Sequence, residues 1–116
     1  MVETDESLNI YAAKITSVYD GDTFTATIKL GFNCLIQNAK IRLYGVDTPE
    51  IRGVEKEEGI KIRDIVRDLI LNKDVILLYE GKGKYGRFLC RVISDRIKDG
   101  DLSSFLLINE YAKPYE

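Results

Sequence analysis

The stretch Arg42-Leu43-Tyr44-Gly45-Val46-Asp47-Thr48-Pro49-Glu50 decides how the rest of the chain is read. Ile41 and Leu43 alternate with Arg42 and Tyr44, the period-two pattern of a half-buried strand. Gly45 interrupts that pattern, and Pro49, which has no backbone donor, ends any ladder. One cation and two carboxylates, Arg42, Asp47 and Glu50, therefore gather at a strand exit. Such a grouping builds a core poorly and suits a metal and a phosphate. By itself the stretch also reads as a polar turn with a surface arginine, so its neighbours have to decide.

Before it, residues 1 to 10 read as a flexible polar lead-in, and 11–116 as one domain. A first strand is expected over Tyr11–Tyr19, with Ala13 and Ile15 on one face. Asp20-Gly21-Asp22-Thr23 is a tight-turn signal. A second strand follows over Phe24–Leu30, with Phe24, Ala26, Ile28 and Leu30 on one face. Gly31 to Asn33 can turn the chain, Cys34 to Ile36 opens a less regular connection, and Lys40–Val46 is the third strand.

After it the period changes. Ile62, Ile65, Val66, Leu69 and Ile70 form one apolar stripe, which predicts a helix over about 57–71. Glu57 and Glu58 near its start suit the helix dipole. Val75–Tyr79 reads as a fourth strand, Glu80 to Arg87 as a glycine-rich loop and Phe88–Ile93 as a fifth strand. Leu102, Phe105, Leu106 and Asn109 give a short helical face, capped by Asp101 or Ser103. Short strands in sequence with one helix inserted do not make a doubly wound sheet. The expected class is mainly β with helices (α+β). Its architecture is a five-stranded Greek-key barrel of the oligonucleotide-binding (OB) type, with a helix between the third and fourth strands and a short C-terminal helix.

Composition narrows the chemistry. The chain has 116 residues, 45% of them hydrophobic, enough for a genuine core. Its net charge is -2, so bulk positive charge is not what would hold a nucleic acid. There is no histidine, which removes histidine-dependent triads and most zinc enzymes. Acid–base work is left to carboxylates, Lys, Tyr or metal-bound water. Cys34 and Cys90 lie in apolar runs without neighbouring ligand types and read as buried free thiols, with a disulfide left open. No apolar run is long enough to span a membrane, and the acidic Met1–Ser7 has no apolar signal region. The sequence as it stands reads as soluble and cytoplasmic, or secreted if a leader has been removed. Nothing in it calls for more than a monomer.

Strand logic brings certain charged groups together. Asp22 lies in the first turn, Asp47 and Thr48 at the third strand's end, and Arg87 after the glycine-rich loop. Two carboxylates and a backbone carbonyl are hard oxygen ligands, suited to Ca²⁺ or Mg²⁺ rather than zinc. Two arginines suit an anion that gains charge as it reacts. Glu50 could take a proton from a water beside the metal.

Asp20-Gly21-Asp22-Thr23, Arg42 to Glu50 and Lys84-Tyr85-Gly86-Arg87 resemble the staphylococcal (micrococcal) nuclease family, also called thermonuclease. The likeness runs in order from about Ile15 to Ala112. Each piece is weak alone, and the three together are specific. The resemblance implies an OB-type barrel and Ca²⁺-dependent hydrolysis of DNA and RNA, at the bond to the 5′ oxygen, leaving 3′-phosphates. It implies carboxylate ligands Asp22 and Asp47, with Thr48 ligating through its carbonyl. Arg42 and Arg87 would bind the scissile phosphate, and Glu50 would be the general base or orient the water. Lys84 and Tyr85 would contact a terminal phosphate, and Asp20 would at most orient a metal-bound water. Tyr115 is the candidate to stack on the base, with Tyr111 competing. The family usually continues into a third helix, whereas this sequence ends at Glu116.

The enzyme reading favours accessible single strands and has two rivals. One is a catalytically silent nuclease-like barrel that binds nucleic acid or protein. The other is a barrel holding Ca²⁺ for structure only. The presence of Asp22, Arg42, Asp47, Thr48, Glu50 and Arg87 favours the enzyme over the silent barrel, and Arg42 and Arg87 argue against structural Ca²⁺, which needs no phosphate clamp.

Overall fold

In the computed structural model, which describes residues 9–115, the period-two pattern builds long strands. β1 (Ile10–Asp20) turns Ala13, Ile15 and Val18 inward, and β2 (Thr23–Gly31) turns in Phe24, Ala26 and Ile28. β3 (Cys34–Leu43) follows with Ala39, Ile41 and Leu43 inside. Two short pieces come next, β4 (Val46–Asp47) and a 3₁₀ turn over Gly53–Glu55. Helix α1 (Lys56–Ile70) leads to β5 (Asp74–Lys82) and β6 (Phe88–Ile93). Helix α2 (Leu102–Ile108) and β7 (Lys113–Pro114) complete the order. No helix of the described residues is long and apolar enough to cross a membrane.

β1, β2, β3, β6 and β5 close into a barrel in that order. All of its pairings are antiparallel except β3 with β6. Inward side chains such as Phe24, Ile15, Ile41 and Leu77 are almost wholly buried, each worth about 1.5–3 kcal/mol relative to exposure. Helix α1 adds Ile62, Val66 and Ile70 from its apolar stripe. The Arg67 guanidinium ties it down by donating to the Val18 carbonyl at 3.0 and 3.3 Å. Asp101 caps α2 by accepting the Ser104 N–H at 2.9 Å. Ser103, the other cap candidate, is buried and donates its hydroxyl to the Tyr44 carbonyl at 2.7 Å.

The expected barrel and its two helices are present, with several differences of detail. The third strand begins at Cys34, not Lys40. Asn38, with φ 55°, forms a bulge where the β2–β3 register shifts between Ala26 and Ile28, and a bulge breaks the alternation that a sequence pattern relies on. The same strand stops at Leu43, because Gly45 at φ 82° turns the chain before β4. β5 runs to Lys82, which shortens the expected loop. Leu30 is exposed although its alternation assigned it inward, and so is Cys34, expected to be buried. Both lie at the outer end of the β2–β3 hairpin, around a turn whose Phe32 is fully exposed. Cys90 is buried and free, its thiol pushed up to about 12 by burial and then by Glu80. Of the expected lead-in, residues 1–8 lie outside the described residues and Ile10 already belongs to β1.

Candidate active site

Register places the first charged groups. Thr23 pairs with Arg42 across β2 and β3, and the Leu43 N–H donates to the Asp22 carbonyl at 2.9 Å. The Asp20–Thr23 turn therefore sits alongside the end of β3. Ile41 and Leu43 point into the barrel, so Arg42 between them points out and meets the turn. Its Nη1 lies 3.3 Å from Asp22 Oδ2, and its Nη2 lies 3.8 Å from Asp47 Oδ1. The same guanidinium donates to the Leu43 and Val46 carbonyls at 3.0 and 2.9 Å, which fixes it across the turn at Gly45.

Asp22 is buried and fully engaged. Its Oδ1 accepts the Thr23 hydroxyl at 3.1 Å, and its Oδ2 accepts the Thr48 N–H at 3.0 Å. Behind it, Asp20 accepts the Asp22 N–H at 3.1 Å. Burial, reinforced by the neighbouring Asp22, raises the Asp20 carboxyl to about 7. The Thr48 hydroxyl is buried and has no hydrogen-bond partner. An orphaned buried oxygen is costly and calls for a ligand or a solvent molecule.

Two tight approaches hold the motif loop against α1. A side chain at Gly21 would meet Thr48 Cγ2 at 2.8 Å and Ile62 Cγ2 at 2.9 Å. A side chain at Gly59 would collide with the Glu50 carbonyl. Gly59 went unremarked in the sequence reading, although an isolated glycine inside a helical pattern is a legible signal of close packing.

The parallel pairing of β3 with β6 sets Arg42 opposite Leu89 and so brings the preceding loop alongside. Arg42, Lys84, Arg87 and Tyr115 line one cleft of about 420 Å³, with Leu89 and Lys82 on its wall. The Arg87 Nε donates to the Lys84 carbonyl at 3.2 Å. Tyr85 is exposed at φ 60° with its ring 5.8 Å from the Arg87 guanidinium, outside the cleft lining. Tyr115 reaches the cleft because β7 pairs with β4 and its N–H donates to the Gly45 carbonyl at 3.0 Å. Its ring centroid lies 5.3 Å from the Arg42 guanidinium carbon, whereas Tyr111 packs on Phe105. Glu50 is not in this cleft. It lines a separate hollow with Asp47, Thr48, Glu55, Glu58 and Glu110.

No set of three or more His, Cys, Asp or Glu side chains disposed to hold a metal occurs among the described residues. What converges is smaller: two carboxylates sharing one guanidinium, with an unsatisfied hydroxyl beside them. That donor set is all oxygen and fits a hard divalent cation that completes its shell with carbonyl and water.

The sequence profile described as "Staphylococcal nuclease homologue" matches residues 40–116. The chain belongs to that family. The matched range holds Arg42, Asp47, Thr48, Glu50, Arg87 and Tyr115; Asp22 precedes it and joins the group only through the fold. The chain is also 30% identical, over an alignment of 131 residues, to the "Uncharacterized protein MJ1439" of Methanocaldococcus jannaschii. That alignment covers 90% of this chain and 59% of the relative, so the chain spans well under two-thirds of the relative's length.

Proposed function

We propose that this member of the nuclease family hydrolyses phosphodiester bonds of DNA and RNA with Ca²⁺, favouring accessible single strands. The observation that carries the reading is Arg42. It links the buried Asp22 to Asp47 on one side and faces the cleft of Arg87 and Tyr115 on the other. A carboxylate pair suited to a cation thus adjoins two cationic clamps suited to a phosphate.

In this reading Asp22, Asp47 and the Thr48 carbonyl hold Ca²⁺, which when bound supplies Lewis-acid polarisation of a phosphoryl oxygen. Arg42 and Arg87 grip the scissile phosphate and stabilise charge as phosphorus becomes five-coordinate. Losing one such donor commonly costs roughly 10²–10³ in rate. Glu50, beside Asp47 and Thr48, takes the proton from the attacking water. The bond to the 5′ oxygen breaks and leaves a 3′-phosphate. Water protonates the departing oxygen, since an arginine is too weak an acid. Lys84 and Tyr85 contact a terminal phosphate, and Tyr115 stacks on the base. We also take residues 11–116 as one domain.

Digestion of heat-denatured DNA, with RNA in parallel, tests the reading in excess Ca²⁺ and in excess EDTA, beside a Glu50→Ala, Arg87→Ala double variant. Cleavage by the native protein only, only with Ca²⁺ and with 3′-phosphate ends, is expected. Cleavage that persists in EDTA or in the double variant sinks the assignment. A second reading, a silent barrel that binds nucleic acid without cutting it, is favoured by the same Arg42. Its guanidinium already contacts both carboxylates and offsets one of their two charges, which leaves less for a cation to balance. A folded protein that binds an oligonucleotide and leaves it intact would establish that second reading.

A further inference from the structure

Tyr44 is a wall between two hollows. On one side is the cleft with Arg42, Arg87 and Tyr115. On the other is a hollow of about 600 Å³ between the start of β1 and the end of β5, bordered by Asn9, Ile10, Leu78 and Glu80. None of the roles assigned above uses this second hollow.

The Tyr44 ring is held in place before anything binds. Its backbone N–H donates to the Cys90 carbonyl at 2.9 Å, and its carbonyl accepts the Ser103 hydroxyl at 2.7 Å. The Arg91 guanidinium carbon stands 4.9 Å from the ring centroid, and Arg91 Nε lies 3.8 Å from Glu80 Oε1. The side chain is 37% exposed, beside a glycine at φ 82° that leaves its flank open. A fixed, exposed aromatic ring backed by a guanidinium is a stacking surface for any base, because every base has a π face. Phosphate has less to gain there: the charge of Arg91 is offset by Glu80.

We propose that Tyr44, backed by Arg91, is a second nucleobase subsite. It takes the base of the nucleotide flanking the one whose phosphate lies between Arg42 and Arg87. The position of that phosphate rests on the nuclease reading, and the contact between ring and base does not. The subsite makes longer single strands better substrates than dinucleotides.

Two measurements test it. The first is kcat/KM for a hexanucleotide divided by that for a dinucleotide, within each variant, so that any common loss cancels. Stacking on one aromatic ring supports a fall of about tenfold in this ratio for Tyr44→Leu, with Tyr44→Phe keeping the native ratio. An unchanged ratio in Tyr44→Leu overturns the proposal. The second uses EDTA to prevent cleavage and single strands carrying 5-iodouracil at successive positions for photo-crosslinking. A crosslink to the Tyr44 peptide from one position is expected, and crosslinks only to other peptides overturn it. Crosslinking at Tyr44 by a protein that cuts nothing leaves the subsite standing and removes the enzyme. Cutting with neither length preference nor a Tyr44 crosslink does the reverse.

Discussion

Arg42 and Asp22 form a buried ion pair that bears on stability as well as on the proposed chemistry. Both side chains are largely buried, 13% and 8% exposed, so their ion pair is poorly screened. Removing one partner of such a pair costs about 3–5 kcal/mol, because the other charge is left uncompensated. Arg42→Ala is therefore expected to lose about 3 kcal/mol in urea unfolding. Adding Asp22→Asn should recover part of that loss, and simple additivity of the two losses would disprove the coupling. Asp20 carries the pH dependence. Its folded value of about 7 lies above the usual 3.8, so the folded protein holds that proton more tightly than the unfolded chain. The stability this contributes is full below about 3.8 and is lost as pH rises through about 7. Asp20→Asn keeps an acceptor for the Asp22 N–H and removes the ionisation. In EDTA, the native Tm should fall relative to that of Asp20→Asn across this window. Parallel curves would show that Asp20 does not titrate there. The sequence made Asp22, Arg42 and Asp47 legible through residue type and order. It could not show that Asp20 and Thr48 are buried, which depends on α1 closing over the turn.

Helix α1 is the backing plate of the site. Its apolar stripe is readable from spacing and Gly59 signals a close approach, but what approaches, the backbone of Glu50, is visible only in the fold. Two effects oppose each other on Gly59→Ala. Alanine gains up to about 1 kcal/mol in helix propensity. Overpacking against a fixed backbone costs typically 1–3 kcal/mol. The collision is with a carbonyl and not a flexible side chain, so the cost should win. Net destabilisation of about 1–2 kcal/mol in urea unfolding is expected. In the proposed mechanism, cleavage should fall further than the lost folded fraction accounts for, because Glu50 moves with its carbonyl. A more stable Gly59→Ala protein would refute this packing argument. The bulge at Asn38 is the opposite case, an element hidden in the sequence. One extra residue inverts the facing of the positions before it, so Cys34 to Ile36 looked irregular while lying in a strand.

Across the whole molecule, the charge balance constrains how the proposed nucleic-acid substrate would be held. The 17 Lys and Arg are outnumbered by 19 Asp and Glu, and the cations lining the cleft are Arg42, Lys82, Lys84 and Arg87. Arg42 is already shared with two carboxylates. Single-strand binding should therefore show a shallow salt dependence, a log–log slope of roughly -2 for two to three phosphate contacts. Titration of a labelled oligonucleotide in EDTA over a range of salt measures it. A slope steeper than roughly -4 would require a basic face that the cleft does not provide.

The amino-acid order alone determined most of the elements, the barrel class and the three motif segments. Burial periodicity and turn residues are local properties, and five short strands with one inserted helix leave few ways to pack. Tertiary structure decided which motif groups meet. The parallel β3–β6 pairing carries Arg87 to the cleft of Arg42, and the β4–β7 pair, invisible in two-residue strands, sets Tyr115 beside Arg42 while Tyr111 packs on Phe105. It also placed Glu50 in a different hollow from the two arginines and exposed Cys34 while burying Cys90. These outcomes follow from contacts between residues far apart in the chain, and the side on which a side chain finishes is set by barrel closure, not by its neighbours in sequence.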